Sequence, residues 1–165
     1  MITLSRLIGL LQVDSTVGDL TGNANRIETL SELAHDNGAS LAVSTELAIS
    51  GYPPRDLLLQ PDFIKMSQHQ ASSLSVKIPV LVGTPVTPNA ERQLPANGVV
   101  RAGPLSSHPN GMNTNRVVAR KQLLPSYDVF DETRYFQTSN RSGICRTIGD
   151  LDLGVTICED AWQAA

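Results

Sequence analysis

Leu-Ala-Val-Ser-Thr-Glu-Leu-Ala-Ile-Ser-Gly-Tyr-Pro-Pro spans residues 41–54. Residues 41–43 form a short apolar run, the pattern of a buried strand. A carboxylate, Glu46, follows almost at once. Pro53 and Pro54 disfavour helix at the residues before them, so the strand must open into a loop. The same arrangement recurs twice. Residues 116–120 read as a strand with Lys121 just behind it. Residues 153–157 read as another, ended by Cys158. If these strands are neighbours with aligned ends, a carboxylate, an ammonium and a thiol meet at one rim. Loops held by a sheet are where chemistry is commonly built.

Working outward, residues 7–13 suit a first strand. The side chains of residues 21–25 offer helix caps. Ala24, Ile27, Leu30 and Leu33 then recur every three residues, as on one apolar helix face. Asn37-Gly38 is a stop signal. A second helix is expected over 62–74 and a third strand over 79–83. Residues 84–95 and 103–115 read as irregular loops. Residues 98–102 suit an edge strand. A hairpin is expected to pair residues 145–148 with 153–157 across Gly149-Asp150. No repeat or low-complexity tract interrupts this order. The class is α/β or α+β, with helices layered on sheet.

The bulk properties narrow the function. The 165 residues carry 41% hydrophobic and 18% charged side chains, enough for one globular domain with a sizeable core. A net charge of -3 and an aromatic content of 4% give no footprint for nucleic acid. No apolar run reaches the roughly 18 residues of a membrane helix. The first residues lack the charged leader and cleavage site of a secretion signal and read better as strand. Two cysteines, Cys145 and Cys158, without a CxxC or a His/Cys cluster, argue against a disulfide framework or a metal site. A reducing, cytoplasmic setting follows.

The trio has a coherent chemistry. A free thiol has a pKa of about 8.5, so a neighbouring carboxylate can accept its proton as attack begins. Attack on a carbonyl or nitrile carbon creates negative charge that Lys121 and the N–H of Glu159 could hold. His35, His69 and His108 have no evident partners for a rival triad. Each member also has a plainer reading. A cysteine at a strand end is more often a small buried group. A loop glutamate is usually solvated, and a lysine in Arg-Lys-Gln is usually a surface cation. Cys145 reads as structural.

Four blocks carry a resemblance: Val-Gly-Asp-Leu-Thr-Gly-Asn-Ala at 17–24, Glu-Leu-Ala-Ile-Ser-Gly-Tyr-Pro-Pro-Arg-Asp-Leu-Leu-Leu at 46–59, Arg-Lys-Gln-Leu-Leu-Pro-Ser-Tyr-Asp-Val-Phe-Asp-Glu-Thr-Arg-Tyr-Phe at 120–136, and Ile-Cys-Glu-Asp-Ala-Trp at 157–162. Together they resemble the N-terminal glutaminase domain of glutamine-dependent NAD⁺ synthetases, a branch of the nitrilase, or carbon–nitrogen hydrolase, superfamily. The resemblance implies a four-layer α-β-β-α sandwich and a Glu46–Lys121–Cys158 triad that hydrolyses the glutamine amide through a thioester. It implies Glu132 beside Lys121, and Tyr127, Phe130, Glu159 and, more weakly, Tyr52 in the glutamine pocket.

The same resemblance implies a homo-oligomer. It also implies a separate synthetase domain that uses ATP and magnesium to amidate nicotinic acid adenine dinucleotide. No nucleotide-binding loop for such a domain is found in residues 1–165, so no cofactor is expected in this chain. Thr45 stands where the family usually has proline, and the loops at 84–95 and 103–115 match poorly. The stop at Ala165 reads as truncation of the sandwich, which would leave strand edges and apolar faces uncovered. Two other readings remain open: an amidase acting on another small amide, and a catalytically inert module.

Overall fold

A computed structural model describes residues 7–88, 93–104, 117–139, 143–148 and 151–162. Strand β1 (Leu7–Leu11), helix α1 (Leu20–Asp36), strand β2 (Ala39–Ser44), helix α2 (Pro61–Ser72) and strand β3 (Val80–Val86) form two successive crossovers. Strands β4 (Ala96–Ala102) and β5 (Val117–Arg120) extend the sheet to the order β1-β2-β3-β4-β5. The first three strands run parallel, and β4 and β5 are each antiparallel to the strand before. Strands β6 (Gly143–Ile148) and β7 (Leu151–Val155) pair as a separate antiparallel ribbon. The described part of the expected sandwich is thus one helical layer, one five-stranded sheet and this ribbon.

The two helices pack on the sheet, and Ala24, Ile27 and Ala71 meet Ala42, Val80, Val82 and Val100 in the main core. Every residue of β3 is buried, as expected of a central strand covered on both faces. A smaller cluster of Leu47, Leu58, Ile64 and Phe136 lies under the loop that follows Glu46.

Several expectations need correction. The α1 cap is Asp19, whose Oδ1 accepts from Gly22 N at 2.9 Å, rather than a side chain in 21–25. Ser31, not Leu33, continues the buried face after Ala24 and Ile27, and Leu33 is exposed. A strict three-residue spacing falls behind the 3.6-residue turn and carries Leu33 round to the far side. The expected stop at Asn37-Gly38 is present, with Gly38 at φ +87°. Strand β4 is interior rather than an edge and begins before Gly98. Strand β3 continues through Pro85 into the expected loop. It pairs with β2 only at Val80 and Leu81, so no ladder hydrogen bond is required on that side of Pro85, which has no N–H to give. Ile157 lies beyond β7. Residues 89–92 and most of the second expected loop, 105–116 with His108, lie outside the described residues, as does the Gly149-Asp150 turn.

Candidate active site

Glu46 stands two residues past β2, where the chain leaves the sheet. Gly83 of β3 permits this exit. A Cβ there would lie 2.6 Å from Leu47 N and 3.0 Å from the Glu46 carbonyl carbon. Gly83 N donates to Ser44 Oγ at 3.0 Å, and Ile49 N donates to Gly83 O at 3.3 Å. Leu47 is fully buried at φ +50°, a left-handed conformation that costs a non-glycine residue about 1–2 kcal/mol. Its burial holds the turn that aims Glu46.

Lys121 is the first residue after β5 and has 0% exposure. Its N–H donates to Asn97 O at 2.8 Å, and its carbonyl accepts from Ser139 N at 3.1 Å. Nζ lies 2.8 Å from Glu46 Oε1, 2.9 Å from Glu132 Oε1 and 2.8 Å from Glu132 Oε2. A buried ammonium is tolerable only with such partners. Burial pulls its pKa down, but hydrogen bonds and charge from Glu132 and Glu46 outweigh that, and it stays above the ordinary lysine value. Burial raises Glu132 above the carboxylate range despite Lys121. Two carboxylates share one cation, and Glu46 adds like-charge repulsion. Tyr52 OH donates to Glu132 Oε1 at 3.2 Å. Burial and the Glu132 charge hold that phenol well above its usual range.

Cys158 opens a short 3₁₀ turn, Cys158–Ala161, at φ +46°. Its thiol faces Glu46 and is exposed. Burial of part of the group and the Glu46 charge raise its pKa, against the pull of Lys121. The resting thiol is therefore neutral near pH 7, and a nucleophile there needs a proton acceptor. Glu46, Asn97, Gly98, Ile157 and Cys158 line a common cleft of about 110 Å³.

The residues expected around glutamine fall into two groups. Tyr127 OH donates to Glu159 Oε2 at 2.8 Å, and Phe130 meets the Tyr127 ring edge-on at 5.7 Å. Tyr52 is not with them. It lies behind Lys121 on Glu132 and borders a separate cavity of about 220 Å³. His35 pairs with its neighbour Asp36, and His69 sits in the last turn of α2; neither adjoins the thiol. Cys145 lies on β6 opposite Leu153.

Two contributors escape sequence reasoning. Asp160 Oδ1 accepts from Gln122 N at 3.0 Å and Leu123 N at 2.8 Å, and Oδ2 from Ile157 N at 3.3 Å. It thereby ties the Cys158 turn to the chain after Lys121. Asn97, fully buried on β4, donates from Nδ2 to Glu46 Oε1 at 2.6 Å. The Cys-Glu-Asp block held the signal for Asp160. Asn97 falls between the expected loop at 84–95 and the expected strand at 98–102, in neither of them.

No protein-family model matches the chain. The chain is 38% identical to the glutamine-dependent NAD(+) synthetase of Synechocystis, over 94% of this chain and 28% of that protein. It superposes on the glutamine-dependent NAD⁺ synthetase structure from Acinetobacter baumannii with a TM-score of 0.76 and 31% identity, covering 94% of this chain and 28% of that one. A nitrilase-superfamily amidase from Nesterenkonia gives a TM-score of 0.64 at 20% identity, over 89% of this chain and 54% of the amidase. The chain spans just over a quarter of the length of the curated relatives it matches. Its fold is that of the nitrilase, or carbon–nitrogen hydrolase, superfamily. Within that class its sequence and structure are similar to about a quarter of the length of glutamine-dependent NAD⁺ synthetases.

Proposed function

We propose that this chain carries the glutamine-hydrolysing centre of a glutamine-dependent NAD⁺ synthetase. The observation that carries the reading is the meeting of Glu46, Lys121 and Cys158, from three separate strand ends, with Lys121 Nζ 2.8 Å from Glu46 Oε1. Glu46 takes the thiol proton, and Cys158 Sγ attacks the side-chain amide carbon of glutamine. An ammonium has three donors. Glu46 and Glu132 engage two, leaving one for the oxyanion beside the Glu159 N–H. As the intermediate collapses, the C–N bond breaks and the proton on Glu46 passes to the departing ammonia. Glu46 then activates a water that cleaves the glutamyl thioester and regenerates the thiol.

Tyr127, Phe130 and Glu159 form the wall that receives glutamine. The Glu159 carboxylate meets the substrate's amino group, with Tyr127 steadying Oε2. In the whole protein the released ammonia serves a synthetase domain, where ATP and magnesium support amidation of the dinucleotide precursor. The setting is cytoplasmic and the assembly a homo-oligomer. No helix among the described residues is long and apolar enough to cross a membrane.

The test is an electrophilic glutamine analogue, with the adduct located by peptide mass spectrometry and folding followed by circular dichroism. Modification of Cys158 and not Cys145 is expected. An adduct only with electrophiles that mimic short aliphatic amides would favour an amidase. No adduct in a folded sample would favour an inert module.

A further inference from the structure

Asn97 is placed unlike any other polar side chain near the thiol. It lies on the interior strand β4 with 0% exposure. Its carbonyl accepts from Lys121 N at 2.8 Å, and its Nδ2 donates to Glu46 Oε1 at 2.6 Å. Its own Oδ1 is buried without a partner. An unpaired buried acceptor is unfavourable, so the amide sits there at a cost to stability. Oε1 of Glu46 accepts from both Asn97 Nδ2 and Lys121 Nζ. A carboxylate oxygen has about two lone-pair sites. Oε1 is therefore filled, and only Oε2 is left to take a proton.

We infer that Asn97 is the positioning residue of the general base: it occupies Glu46 Oε1, fixes the carboxylate plane and leaves Oε2 facing the Cys158 thiol. The inference rests on Glu46 being the proton acceptor in the reading above. Lys121 alone cannot do this. Its ammonium is a rotating donor set shared with Glu132, whereas a strand-borne amide has one fixed direction. A carboxylate released from Asn97 can turn about its last bond and carry both oxygens out of line with the thiol.

Asn97→Ala and the smaller polar change Asn97→Ser are tested in the full chain; whichever keeps the wild-type circular dichroism spectrum is assayed. The expected result is a fall in kcat for glutamine of about a hundredfold, the lower end of what general-base catalysis contributes, with KM changed less than about threefold. A second measurement follows Cys158 alkylation by iodoacetamide against pH, located by peptide mass spectrometry. Glu46, Lys121 and Glu132 are the charges that act most on that thiol, and the phenols of Tyr52 and Tyr127 also face it. Loss of Asn97 loosens Glu46 from it, so the inflection moves to lower pH. In a Glu46→Gln background the same change moves it no further, because the group acted through is gone.

A shift of equal size in both backgrounds, or a rise in KM with kcat kept, would overturn the inference. Absence of ammonia release by the wild-type chain would instead sink the glutaminase reading, and the alkylation cycle would still decide the role of Asn97.

Discussion

At the residue scale, the proposed reaction joins a neutral nucleophile to a positioned base. The Cys158 thiol is held above its ordinary pKa by burial and by Glu46, so the proposed attack depends on proton transfer rather than on a standing thiolate. Cys158→Ser and Glu46→Gln are each expected to reduce glutamine hydrolysis to background, while Cys145→Ser leaves it near wild type. Equal loss in all three would mean that packing had been taken for chemistry. Glu46→Gln has a second, opposite signature. Removing the negative charge removes a cause that raises the thiol, so the inflection of Cys158 alkylation moves to lower pH while turnover collapses. An inflection that stays put would show that Glu46 does not act on the thiol.

At the scale of elements, the strand ends are what the sequence discloses best. Short apolar runs followed by Glu46, Lys121 and Cys158 could be read directly, because buried strands and polar rims differ sharply in composition. The connecting geometry was less legible. Pro85 reads as part of a loop, since nothing local tells that β2 parts from β3 before reaching it. Asn97 falls between the expected loop and the expected strand and carries no local mark of its role, because its partner Glu46 is far away in sequence. Gly83 gave no signal at all, yet it admits the loop that bears Glu46.

Two element-scale predictions follow from these joints. Gly83→Ala would drive a methyl into Leu47 N and the Glu46 backbone; overpacking of this kind costs about 1–3 kcal/mol and should depress kcat further by displacing Glu46. A variant with wild-type urea midpoint and turnover would refute the close-approach argument. Asp160→Ala leaves the N–H groups of Gln122, Leu123 and Ile157 without their acceptor. A loss of about 1–3 kcal/mol is expected in urea denaturation, and Asp160→Asn, which keeps one acceptor oxygen, should retain part of it.

At the scale of the whole molecule, the chain is held around a buried charge. The parallel half of the sheet supplies Glu46 and the antiparallel half supplies Lys121, so their contact couples the two halves. Lys121→Met would leave Glu46 and Glu132 facing each other without a cation. Breaking a buried pair in this way costs about 3–5 kcal/mol. The pH dependence identifies the cause. Lys121 lies above its ordinary value of 10.5 in the folded chain, so its contribution is full below that pH and is lost as pH rises through the folded value. Glu132 lies above its ordinary 4.5, so protonation favours the folded state. The part it contributes is full below 4.5 and disappears as pH rises through its folded value. Urea midpoints measured from pH 5 to 11 should therefore show the deficit of Lys121→Met narrowing toward pH 5, as Glu132, left without its cation, takes up a proton. It should also narrow above 10.5, as the wild type loses its own ammonium. A deficit that is constant across that range would mean that Lys121 supports the fold by its aliphatic stem and not by its charge.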